Sequence, residues 1–122
     1  MCKAKTGRLK DAEIISAEAD ESLASSEDKY AIAFNNMLKG IIASEKGNHE
    51  SALKFMEKSE SQIIKQGIPY DAGTICVEYA LVLANSGKKD EAKEKFKTAI
   101  NYYKEASSMD MAEIAEALMK KL

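Results

Sequence analysis

Glycine recurs in this chain with an alanine five residues behind it, and it recurs at a fixed interval. "GRLKDAEIISAEA" from Gly7, "GNHESALKFMEKS" from Gly47 and "GKKDEAKEKFKTA" from Gly87 put Ala12, Ala52 and Ala92 in phase, in steps of forty positions. The later two copies also share a large apolar residue, Met56 and Phe96. A period in this range marks a chain built from repeated supersecondary units, none of which can bury its apolar face alone. The expected object is a helical-repeat scaffold.

Each glycine stands where a helix ends, since glycine enters the left-handed C′ conformation without a Cβ penalty. Before Gly87, "DAGTICVEYALVLANS" is expected to start a helix at Asp71 as N-cap, with Ala72, Ile75, Cys76, Tyr79, Ala80 and Leu83 on one stripe. After it, Ala92, Phe96, Ala99, Ile100 and Tyr103 make a second stripe. The short turn then forces an antiparallel αα-hairpin, in which Ala80 and Ala92 let the backbones approach closely. One period earlier a helix from about Asp28 to Lys46 precedes a helix carrying Ala52, Met56, Ser59 and Ile63, which stops near Gly67. "KQGIPYDAG" supplies the break between the two hairpins. At the front Leu9, Ala12, Ser16, Ala19 and Leu23 outline one more helix, and at the back Met111, Ile114, Ala115, Leu118 and Leu122 are placed on the apolar face of a closing helix. The reading is all-α with about six helices: a half repeat over 1–26, repeats over 27–67 and 68–107, and a capping helix over 108–122.

Composition narrows the chemistry. The chain has 122 residues, enough for one domain with a core of its own, and a formal net charge of −2. No summed field therefore favours nucleic acid or an anionic membrane. Lys88, Lys89, Lys93, Lys95, Lys97 and Lys104 are spread around their helix and offset by Glu91, Glu94 and Glu105, so they read as a solvated surface. Glu57 and Glu60 read the same way. Cys2 and Cys76 lack disulfide or zinc-ligand spacing, and His49, the only histidine, reads as an exposed turn residue with no catalytic or metal-binding partner. No phosphate-binding G-x-x-x-x-G-K-[ST] loop is present, and no apolar run is long enough to span a bilayer. The expectation is a cytoplasmic protein without cofactor or metal and without enzymatic activity. Of the adjacent Tyr102 and Tyr103 only one can face the core, and Tyr103 falls on the core stripe.

The order Gly40, Gly47, Ala52, Met56, Ser59, repeated as Tyr79, Ala80, Gly87, Ala92, Phe96, Ala99, resembles the tetratricopeptide repeat. Asn36 and Cys76 depart from it at the large-aromatic position and Lys39 departs where leucine is usual. A period of forty instead of about 34 is similar to the longer repeats in the C-terminal arms of large ATP-dependent signalling regulators and in cargo-adaptor light chains. The resemblance implies a right-handed stack of hairpins that binds other proteins. With a half repeat at its start, it also implies a module within a longer regulatory protein.

In such scaffolds the first helices line a concave surface, and the matching residues here are Phe34, Met37, Leu38, Ile41, Thr74, Val77, Glu78, Leu81 and Asn85. The sequence itself shows a surplus on these helices. Val77, Leu81 and Ala84 form a second apolar stripe, and a helix apolar nearly all round must be covered by something. Either neighbouring helices bury this stripe or it is an open groove. The lysine and asparagine clamp that chaperone-binding family members use for a terminal carboxylate is replaced by Met37, Ile41, Val77 and Leu81. An apolar, methionine-bearing groove fits a peptide or an amphipathic helix. A free-standing chain that pairs with itself through the same surface is the alternative. A helical-bundle enzyme or ligand-binding protein is the alternative of another class, and the chain shows no buried polar constellation for it.

Overall fold

Four turns, at Gly47, Gly67, Gly87 and Ser107, set the architecture, and each lies twenty residues from the next. All four take positive φ, from 58° at Ser107 to 84° at Gly87. At Gly47 the Asn48 N–H donates to the Ala43 carbonyl at 2.8 Å and the Gly47 N–H to Ser44 at 3.0 Å. The same pair of bonds recurs at Gly87 and at Ser107, so three helices end in Schellman motifs that satisfy their last carbonyls.

The computed structural model describes residues 29–122. Between the turns run α1 (Lys29–Glu45), α2 (His49–Ile64), α3 (Pro69–Asn85), α4 (Lys89–Glu105) and α5 (Met109–Lys120). Among the described residues every regular element is helical. The half repeat expected over 1–26, with its Leu9 to Leu23 stripe, lies outside the described residues, as does Cys2.

Alanine follows the turns at the same interval. Ala52, Ala72, Ala92 and Ala112 are all buried, and each N–H donates to the carbonyl four residues back at 3.0 Å. Each alanine is a small buried residue near the start of its helix, so the working unit is a twenty-residue helix and turn. The forty-residue interval is two such units.

The second helices carry the expected core. Ala52, Met56, Ser59 and Ile63 of α2 and Ala92, Phe96, Ala99 and Tyr103 of α4 are fully buried. Each hairpin closes through its own contacts, and the next first helix covers it. Tyr79 and Val82 pack with Met56, and, forty residues on, Met119 and Leu122 pack with Phe96. The repeat in sequence is thus a repeat in space. Glycines admit the largest side chains: a Cβ at Gly73 would stand 2.9 Å from the Tyr103 ring, and one at Gly40 would fall on the Met56 sulfur.

Three expectations need correction. Helix α3 begins at Pro69, two residues before Asp71, because proline at the first helical position has φ pre-set and no N–H to satisfy. His49 is the first residue of α2, not an exposed turn residue, and its Nδ1 is buried. Ile114 is 52% exposed, although the other residues expected on that face of α5 do turn inward, Ala115 buried and Met111, Leu118 and Leu122 packed on the core, where Ala112 joins them.

Candidate functional site

The nine residues expected to line a groove divide into two groups. Phe34 and Met37 of α1 pack against Ala33, Ile63, Ala72 and Ile75, where α1, α2 and α3 meet. Val77 packs against the clusters around both Phe96 and Tyr103. Thr74 donates to the Tyr70 carbonyl at 3.1 Å and shares a 3.0 Å hydrogen bond with the Tyr103 hydroxyl. These four are half-buried and spend much of their surface on helix packing. Leu38 is half-buried as well.

Ile41, Glu78, Leu81 and Asn85 are brought together. With Ser44, Glu45 and Val82 they line a cleft of about 260 Å³ between α1 and α3. The two helices run side by side in the same direction, since the Asn85 amide at the end of α3 donates to Ser44 near the end of α1, at 2.8 Å to Oγ and 3.1 Å to the carbonyl. That pair of bonds fixes one end of the cleft. Leu81 is 38% exposed there.

A larger cleft, about 470 Å³, was not foreseen. It opens beside the α2–α3 turn, with Ile64, Ile68 and Pro69 on one side and Tyr102 and Glu105 of α4 on the other. "KQGIPYD" reads as punctuation between helices, but two isoleucines flanking a turn glycine were its available signal.

The half-buried charge cluster was also misread. Glu60 does not belong to a solvated face: its side chain is 19% exposed and that of Lys95 27%. Lys95 Nζ donates to both Glu60 oxygens, at 2.7 and 2.6 Å, and lies 4.6 Å from the centre of the Tyr79 ring. The Cys76 thiol donates to the same carboxylate at 3.5 Å. Burial, reinforced by the Glu60 charge, pushes that thiol up to about 12. Burial works to lower Lys95, but the hydrogen bond and charge of Glu60 prevail and hold the ammonium above its ordinary value. A neutral thiol and a firmly protonated amine are poor nucleophiles. This group ties α2, α3 and α4 together.

Among the described residues no three His, Cys, Asp or Glu side chains are grouped to hold a metal ion, and no helix is long and apolar enough to cross a membrane. No protein-family model matches the chain, and comparison with curated proteins and with solved structures gives no match.

Proposed function

We propose that this chain is a tetratricopeptide-like module for protein–protein interaction, stacked as a right-handed array of hairpins and binding a peptide or helix on the face of its first helices. One observation carries the reading. Leu81 stands exposed over an apolar cleft floor of Ile41 and Val82, while the second helices bury their core residues completely. Position supports it further, since Ile114 of α5, also exposed, lies forty residues after Thr74 and so falls in register with the same face. An apolar surface left open on rigid, well-packed helices is a docking surface in kind. A place within a longer regulatory protein belongs to the same proposal.

Leu81→Asp tests it with two measurements. A charge at a solvent-facing position changes stability by about 0.5 kcal/mol or less, so the melting midpoint should stay close to that of the parent. Fluorescence of an environment-sensitive apolar dye bound to the protein should fall. A collapsed midpoint would place Leu81 inside the fold and end the groove reading.

A further inference from the structure

The cleft beside the α2–α3 turn owes its shape to Pro69. At Gly47, Gly87 and Ser107 the following residue returns its N–H to the helix just ended, on Ala43, Leu83 and Tyr103. At Gly67 the corresponding carbonyl, that of Ile63, is taken by Gln66, and Pro69 restricts Ile68 to extended backbone at φ −106° and ψ 102°. Ile68 therefore stands away from α2, 40% exposed, with Ile64 near it at 50%. The two make an aliphatic ridge, and the cleft of about 470 Å³ between them and Tyr102 is a groove of the same chemistry, floored by Ile63 and Ala72.

Charge narrows the occupant. Glu105 lines the cleft from the end of α4, and Lys65 sits in the turn between Ile64 and Gly67; both are exposed, and neither is in an ion pair or a side-chain hydrogen bond. A partner of one sign gains from one of them and loses to the other. A second copy of this chain, turned about a two-fold axis, meets each with its opposite. An isologous contact needs a surface complementary to itself, and ridge with groove, cation with anion, on one patch meet that need. We infer that this end of the molecule is a homodimer interface, in which Ile68 of each copy enters the cleft of the other and Lys65 of each copy pairs with Glu105 of the other. Tyr70 and Met109, 43% and 57% exposed at the same end, extend its apolar area. Leu81 and the α1–α3 cleft lie towards the opposite end of α3, so the dimer is independent of the interaction reading above and leaves that face free.

The experiment is sedimentation of the full chain, with reductant present so that Cys2 stays a thiol. The average mass should climb from that of one chain towards that of two between about 1 μM and 1 mM. Lys65→Glu and Glu105→Lys should each weaken self-association about tenfold, since each sets like charges opposite one another twice. An equimolar mixture of these two variants should associate as the parent does, because the mixed pair restores both ion pairs. Ile68→Asp should weaken association at least about tenfold by putting a charge in the cleft. All three positions are exposed, so melting midpoints measured where the parent is a single chain should stay close to the parent's. Leu81→Asp should leave association unchanged. A parent that remains a single chain throughout, charge variants that associate like the parent, or a mixture no stronger than either variant alone would overturn the inference. Association lost in Leu81→Asp and kept in Ile68→Asp would overturn it too, and would move the pairing to the first-helix face.

Discussion

Ser107 occupies the position that glycine holds in the other three turns, at φ 58°. An L-residue in this region carries a steric cost of about 1–2 kcal/mol that glycine avoids, part of which glycine returns as unfolded-state entropy. Ser107→Gly should therefore stabilise the protein by about 0.5–1 kcal/mol, read as a higher denaturant midpoint. A lower midpoint would mean that the serine side chain does more for the turn than its backbone costs. At Gly73 the balance is reversed. Helix propensity favours alanine there by about 1 kcal/mol, yet the new methyl would meet the Tyr103 ring at 2.9 Å, and that ring is fully buried and bonded to Thr74. Gly73→Ala should lose about 1–3 kcal/mol from overpacking. The preceding repeat pairs Ala33 with Ile63 at the same register. In a Tyr103→Ile background Gly73→Ala should consequently cost much less, and a double-mutant cycle measures the coupling. An additive cycle would show the two positions to be independent.

Between elements, the contact least visible beforehand is the one from Glu60 to Lys95. Periodicity reports which face of a helix is apolar, and so Ala52, Met56, Ser59, Ile63, Ala92, Phe96, Ala99 and Tyr103 were legible as core, as were the hairpins and three of the four turns. It does not report which helices stack on one another. Glu60 and Lys95, thirty-five residues apart, become partners only because α2 and α4 lie on the same side of α3. Ile114 was misassigned for the same reason: its spacing is that of a core residue, and only the position of α4 reveals that Ala112, not Ile114, joins Ala115 on the covered side. In the cleft, Leu81 was legible as surplus apolar surface, but the convergence of Ile41, Glu78 and Asn85 on it depends on the α1–α3 packing. The same cluster sets an alkaline limit. The folded state keeps the Cys76 proton up to about 12, while the unfolded chain releases it near the ordinary value of 9.0. Over that window rising pH favours the unfolded state, so the stability present below pH 9 is lost as pH climbs towards 12. Lys95, also raised, acts in the same direction, since its ion pair disappears as the ammonium deprotonates. Cys76→Val should flatten the fall in chemical-denaturation stability above pH 9, and an unaltered slope would assign that fall to the tyrosines and Lys95.

Across the whole molecule the helices alternate in direction, so the Gly67 and Ser107 turns share one end and the Gly47 and Gly87 turns the other. The ends differ in chemistry. Ile64, Ile68, Tyr70 and Met109 are exposed around the first pair, whereas Lys46, Asn48, Lys88, Lys89 and Asp90 surround the second. Along the stack, perpendicular to that axis, stability is expected to pass from neighbour to neighbour, as in repeat proteins where each unit mainly contacts the next. Helix α5 is the last of the described helices. Ala112 and Ala115 close over Tyr103, and Leu118, Met119 and Leu122 pack on the cluster of Ala80, Leu83, Ala92 and Phe96. Ending the chain after Ser108 would bare the Phe96 and Tyr103 side of the second hairpin. At roughly 25 cal/mol for each Å² of apolar surface returned to water, the loss should reach several kcal/mol. Its distribution is the sharper test. Native-state hydrogen exchange should show protection falling most in α4, which packs along α5, less in α3, which meets α5 through the Ala80 and Leu83 cluster, and least in α1 and α2, which are held by their own hairpin and by α3. A uniform fall would make residues 29–122 one cooperative unit, and an unchanged profile would show that α5 is not the cap.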